Sequence, residues 1–249
     1  MTLRIATLNL EQDHKGWSVR RDLIAAELPS LNPDIWALNE IHIPSQTGRW
    51  LKATAEKAIG TNYTLLQQSR TGVESNTRAE GLLTRYPVIE SANLDLQLHQ
   101  CVVLAATVEV GKKLLDVYVT NLINASVEDR VRQQQVTRLL EWMDTRGEIE
   151  NAIVCGDFNA SPDAPSMLLM AEMFRSTQMQ ATAFTPLREP GSDPTHPEWQ
   201  RFDRCIDYIW VGASVTVVAT GLCFNRPADG NDALWPSDHV GVWADLVFA

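Results

Sequence analysis

Basic residues are scarce in this chain: 21 Lys and Arg stand against 31 Asp and Glu, a net charge of −10 and a pI near 4.9. Proteins that hold nucleic acid over a broad surface do so by neutralising phosphates, so this balance argues against that mode. A local basic pocket remains open, and the acidity suits a site that gathers carboxylates around a cation. No unbroken apolar run approaches the roughly 18 residues of a membrane span. The opening MTLRIATLNLEQD also lacks the charged-then-apolar pattern of a secretory leader. We therefore expect a cytoplasmic protein with no membrane insertion, and no obligate protein partner is evident. The four cysteines, Cys101, Cys155, Cys205 and Cys223, form no CxxC pair. Cys101, Cys155 and Cys223 sit in apolar segments, where a free thiol acts as a small hydrophobe, so a reducing compartment is expected. There is no zinc-type Cys/His constellation, no GxxxxGK loop and no GxSxG elbow. Internal repeats, low-complexity tracts and linkers are absent as well.

What is present is enough apolar material for a sizeable core, 45% of 249 residues, and we expect one domain over residues 1–249. Leu3–Leu10 has the pattern of a strand, and Ser18–Leu28 of a helix ended by Pro29 and Pro33. Val88–Leu98 and Cys101–Val110 form a hairpin around His99, and Leu114–Leu122 and Ala152–Cys155 are further strands. Val127–Thr145 and Ala164–Phe174 are helical. Thr185–Arg204, Pro-rich and polar, is a long loop, and Ile206–Val211, Val215–Phe224 and Val240–Phe248 are strands. Two β-rich halves joined by helices, without a break in composition, predict two packed sheets flanked by helices.

Several apolar runs end alike. Asn9 follows IATL, Glu40 follows IWALN, Asn121 follows DVYVT, and Asp157 and Asn159 follow IVCG. Asp207 lies in RCIDYIW, and Asp238 with His239 opens VGVWADL. Singly, each is what a strand-ending turn uses. Together, strand ends from one edge of packed sheets converge on one cleft, where carboxylates repel unless a cation offsets them. Oxygens of Asn, Glu and Asp with a His suit a hard divalent ion such as magnesium. A Ser237 nucleophile beside His239 is the competing reading, but no separate base accompanies it.

These motifs resemble the endonuclease/exonuclease/phosphatase superfamily, the deoxyribonuclease I-like fold, along nearly the whole chain. The match is carried by Asn9 in ATLNL, Glu40 in PDIWALNE, GLLTRYPV from Gly81, and Arg130 and Gln133 in DRVRQQQ. GDFNASP (Gly156–Pro162), PTHP (Pro194–Pro197), DRCIDYIWV around Asp207 and SDHVGV (Ser237–Val242) complete it. The resemblance implies an α/β (α+β) fold, a four-layer sandwich of two packed, mostly antiparallel β-sheets flanked by helices. It also implies phosphoester hydrolysis with Mg2+ or Mn2+. By the same carry-over Glu40 is the principal metal ligand, with Asn9 and Asp238 beside the ion. Asp157 and Asn159 hold the attacking water, and His239 bonds the scissile phosphate or transfers a proton, oriented by Asp207. Two positions depart from the family pattern. Thr120-Asn121-Leu122 stands where many members have Thr-His-Leu, with Tyr118 as a possible stand-in for the His, and Leu38-Asn39-Glu40 stands for Leu-Gln-Glu.

Arg70, Arg78 and Arg85 bracket the loop that enters the Gly81 strand and are candidate phosphate clamps; Arg78 is the better candidate, and Arg85, before Tyr86-Pro87, fits a turn. Trp199 and Trp235 are candidate stacking groups, against the alternative that a Trp covers the core edge. Among the loop histidines His14, His42 and His196, His42 lies two positions beyond Glu40. The expected function is a metal-dependent phosphodiesterase or nuclease acting on a nucleic acid or nucleotide. The alternatives are a phosphomonoesterase or phosphatase of a phospholipid or inositol phosphate headgroup, and a non-catalytic binding protein on the same scaffold.

Overall fold

A computed structural model describes residues 2–11, 16–124, 127–147, 151–184, 202–231 and 234–248. The first half runs β1 (Leu3–Asn9), α1 (Trp17–Leu31), β2 (Ile35–His42), α2 (Thr47–Ile59), β3 (Thr64–Ser69), β4 (Arg78–Thr84), β5 (Val88–Asp95) and β6 (Val102–Val110). Then come β7 (Lys113–Asn121), α3 (Asp129–Arg146), β8 (Ala152–Asp157), α4 (Pro165–Met173) and the short β9 (Arg175–Ser176), β10 (Ala183–Phe184) and β11 (Phe202–Arg204). The chain finishes with β12 (Asp207–Val211), β13 (Val215–Cys223) and β14 (Gly241–Phe248). The expected long loop is thus bounded by a strand pair, β10 with β11; its span 185–201 lies outside the described residues.

Two six-stranded sheets carry the fold, in the orders β13-β14-β1-β2-β4-β3 and β5-β6-β7-β8-β12-β9. The pairs β1–β2 and β7–β8 are parallel, and each is joined through a helix, α1 or α3, as a parallel pair requires. The other strand pairs in the two sheets are antiparallel. Central strands are apolar on both faces because both faces are covered. On β1, β2, β8 and β12 one set of alternating residues, including Ile5, Ile35, Ile153 and Ile209, packs between the sheets. The opposite set of β1 and β2, including Leu8 and Trp36, packs under α1 and α2 with Ile24, Leu28 and Leu51. That of β8 and β12, Val154, Tyr208 and Trp210, packs under α3 and α4 with Val136, Leu139 and Met170. The result is helix, sheet, sheet, helix: the four layers expected.

The first helix overruns its expected stop. Pro29 lies inside α1, which continues to Leu31 and caps at Asn32 in the left-handed region. In the last turn a proline forfeits a single intrahelical bond, and burial of Leu28 and Leu31 holds the turn in place.

Gly156 ends the apolar run of β8 at φ +135°, where an added Cβ would lie 1.9 Å from the Thr120 carbonyl oxygen. Both the conformation and the space demand glycine. Gly156→Ala should therefore lower the unfolding free energy by about 3 kcal/mol or more, read as a lower urea midpoint at unchanged slope.

Candidate active site

Register brings the polar strand ends together. Asn9 pairs with Asn39 across β1–β2, and Asp157 lies level with both Asn121 on β7 and Asp207 on β12. The carboxyl ends of both parallel pairs therefore open on one edge of the sandwich, the usual place for a site in such sheets. Ser237 fixes the approach to β14 there: its hydroxyl donates to the Asn9 carbonyl (2.7 Å) and accepts from His239 N (3.2 Å). Arg20, buried on α1, donates to the carbonyls of Leu10 (3.2 Å) and Pro236 (2.8 Å), tying the same two segments. These contacts occupy Ser237 as a turn residue.

A cavity of about 370 Å³ is lined by Asn9, Glu40, Arg78, Asn121, Asp157, Asn159, Asp238 and His239, among others. Glu40 enters it through a β-bulge: the β2–β4 register shifts between Leu38 and Ile41, and Glu40 sits at φ +57°. An extra residue in one strand re-aims a side chain in this way, and the strained backbone persists because both flanks are paired. Asn159 is left-handed too (φ +52°), which folds its amide back onto β8.

Asp157 is buried and held on three sides. Asn159 N donates to Oδ1 (2.9 Å), while Asn9 Nδ2 and Asn159 Nδ2 each donate to Oδ2 (3.1 Å). Burial, and next the Asp207 carboxylate, push its pKa up, against the pull of His239. His239 Nδ1 lies 2.8 Å from Asp207 Oδ2, which puts the proton on Nδ1 and leaves Nε2 facing Asp157 and Asp238, each at 4.0 Å. Burial disfavours the imidazolium, but Asp207, Asp238 and Asp157 outweigh it and hold the His239 pKa well above its usual value. Asp238, partly exposed, is also raised by burial and by Glu40. Negative charge is thus concentrated beyond what the protein groups offset.

That imbalance fits a cation. Asp157, Asp207 and His239 offer ligand atoms within 4.8 Å of one another, yet the 2.8 Å contact between Asp207 and His239 is a hydrogen bond with no room for an ion. Glu40, Asn9, Asp238 and Asp157 also line the cavity, and their side-chain oxygens are of the kind that could hold a hard divalent ion. A larger recess of about 530 Å³, lined by Glu27, Arg226 and Asp229 against α1, lies apart from this chemistry.

Beneath the cavity runs a buried support that the strand-end pattern did not disclose. Asn39 Nδ2 donates to Glu80 Oε2 (2.7 Å) and to the Thr120 carbonyl (2.9 Å), and Asn39 Oδ1 accepts from Asp157 N (3.0 Å). Glu80, fully buried, also accepts from Arg70 Nε (3.0 Å). Arg70 reaches Asn121, whose amide satisfies both ends with its oxygen toward Arg70 Nη2 (3.0 Å) and its nitrogen toward the Leu122 carbonyl (3.0 Å). The signal for Glu80 was an acid placed between apolar residues in RAEGLLT. A second support comes from α3. Arg132 and Gln135 are buried and bond the chain between β7 and α3, Gln135 accepting from Ile123 N (3.0 Å) and Arg132 donating to the Asn124 and Val127 carbonyls (3.0 Å each). Arg130 is exposed.

Other expected residues fall outside the cavity. Tyr118 lies one residue out of phase with Val117, Val119 and Asn121, so it faces the helices and packs edge-on against Trp142 at 5.8 Å. It cannot stand in for a cavity histidine. Trp235 is half-buried and does not line the cavity, and His42 bonds Ser45 instead (2.8 Å). Trp199, His14 and His196 lie outside the described residues. Arg78 does line the cavity, 3.7 Å from Glu40 Oε1 and 3.8 Å from Glu74 Oε1. His99, Gln100 and Arg204 line it unforeseen.

A sequence profile of the Endonuclease/Exonuclease/phosphatase family matches residues 6–239. Nocturnin of Rattus norvegicus is 27% identical over 258 residues, covering 93% of this chain and 59% of Nocturnin, so the chain spans about three fifths of that relative. Among solved structures, D. rerio TDP2 complexed with single strand DNA product superposes with a TM-score of 0.74 at 20% identity, over 99% of each chain. The mannosyl-6-phosphatase Bt3783 of Bacteroides thetaiotaomicron superposes with a TM-score of 0.77 at 17% identity, over 99% of this chain and 100% of the other.

The Arg70–Glu80 pair gives a sharp test of the support. Arg70→Ala strands a buried carboxylate and should cost about 3–5 kcal/mol. The double variant Arg70→Met/Glu80→Leu should recover a large part of that loss in a denaturant double-mutant cycle.

Proposed function

The chain belongs to the endonuclease/exonuclease/phosphatase family, and from that premise we propose that it is a phosphoester hydrolase using bound Mg2+ or Mn2+, acting as a phosphodiesterase on a nucleotide or nucleic acid. One observation carries this reading: Glu40, Asn9, Asp157, Asn159, Asp238 and His239 share one cavity, with His239 backed by Asp207 at 2.8 Å. We also propose that residues 1–249 act as one domain in a reducing compartment, which the free, buried cysteines support. No helix among the described residues is long and apolar enough to cross a membrane.

Glu40, Asn9 and Asp238 would hold the ion. When bound, it offsets charge on a phosphate oxygen and on the leaving oxygen. Asp157 accepts a hydrogen bond from the attacking water while Asn159 and Asn9 keep its carboxylate oriented. His239, its Nδ1 proton held by Asp207, presents Nε2 to a phosphate oxygen and, when protonated, donates there. Asn121 contributes an amide, which cannot carry a proton. Arg78 supplies a guanidinium at the wall. The likeness to TDP2, solved with a DNA product, favours a diester. The modest cavity, the net charge of −10 and the likeness to a sugar phosphatase favour a phosphomonoester as the second reading.

A screen of diester and monoester substrates with added Mg2+ or Mn2+ decides between the two, and EDTA should stop all turnover. Glu40→Ala and His239→Ala should each abolish activity; an unchanged rate in both overturns the site. Asp157→Asn should lower kcat by about 100-fold or more with little change in KM. Asn121→His should preserve or raise the rate, since it adds a proton carrier at the cavity wall.

A further inference from the structure

The hairpin between β5 and β6 has a turn built against its own backbone preference. Among the described residues nine non-glycine positions have positive φ, and three of them, Gln97 (58°), His99 (54°) and Gln100 (62°), fall within this one tip. Glycine or asparagine would occupy such positions at far lower strain. The tip is nevertheless braced throughout. Leu96 N donates to the Cys101 carbonyl (3.0 Å), Cys101 N and Gln135 Nε2 donate to the Leu98 carbonyl (3.3 and 3.0 Å), and Thr71 N donates to the Gln100 carbonyl (3.3 Å). The Gln100 side chain accepts from Glu74 N (3.0 Å), passing over Gly72, where a Cβ would come within 2.7 Å of its Oε1. What this scaffold delivers is His99: exposed, at the rim of the cavity that holds the candidate catalytic groups.

We propose that His99 is the base-stacking residue of the substrate site, so that the substrate carries a nucleobase next to the reacting phosphate. This rests on the phosphoesterase reading of the same cavity. A planar imidazole is one of the side chains on which unstacked bases lie. Its backbone is already fixed, so little ordering cost falls on binding. The phosphate and sugar occupy the cavity, and the base emerges over the tip. The strain is explained by position, since a glycine turn would leave the rim without a ring.

The test uses two diesters with one leaving group, thymidine 5′-(4-nitrophenyl phosphate) and base-free methyl 4-nitrophenyl phosphate, assayed with Mn2+. His99→Ala should raise KM for the first by roughly tenfold, leave kcat unchanged, and leave the second substrate unaffected. His99→Phe, which keeps a ring and loses the ring nitrogens, should restore KM. Equal effects on both substrates, no effect on either, or Phe behaving as Ala overturns the proposal. Binding of thymidine 5′-monophosphate against inorganic phosphate, by calorimetry on the same three proteins, reads the platform without turnover. A wild type that binds the nucleotide through His99 but cleaves neither diester sinks the phosphodiesterase reading and leaves the platform standing. Thermal midpoints matching the wild type show that the variants are folded.

Discussion

Asn39 stands in the second half of β2 in one sheet, and its amide reaches across to the other. Its nitrogen bonds Glu80 within its own sheet and the Thr120 carbonyl on β7, while its oxygen receives Asp157 N on β8. Such buried groups are costly unless each is matched, so the joint admits one spacing and one register. The positions of Asp157, Asn121 and Asp207 follow, because they lie level with one another in the second sheet. Glu40 follows from the first sheet, because it shares the β2 bulge with Asn39. The bonds that close the two sheets are thus also the ones that set the distance across the cavity.

Much of this was legible in the sequence because the relevant periods are short. Apolar runs ending in Asn9, Asn121 and Asp157 placed those residues at strand ends, whereas Glu40 lies at a bulge inside β2, which pairs on to His42. Doubly apolar runs implied strands covered on both faces. What stayed hidden depends on distance or phase. Arg70 was singled out as a phosphate clamp, but its pairing with buried Glu80 is fixed by tertiary contact, and Arg20 acts from a helix on a loop more than 200 positions away. Tyr118 shows how a one-residue phase decides: nearness in sequence to Asn121 suggested the cavity, whereas strand alternation sends it to the opposite face. Arg130 and Arg132 differ in the same way on a helix, where two positions turn a side chain from solvent to the interior.

The acidic balance of the chain and its basic cavity wall belong together. Arg70, Arg78 and Arg204 all border the cavity, yet the molecule carries −10 overall. Attraction of a polyanion from a distance is therefore weak, and recognition falls to groups within contact range. A small site with short-range cations, oriented amides and one concentrated set of carboxylates selects by fit more than by charge.

The reach of the Asn39 arm has a consequence for substitution at its neighbours. A side chain at position 156 would also meet this amide, since a Cβ built on Gly156 would lie 3.0 Å from Asn39 Oδ1. Positions 39, 80 and 156 are therefore coupled, because the Asn39 amide bonds Glu80 and the Asp157 N–H beside Gly156 at once. A short amide is here tied to the spacing it enforces.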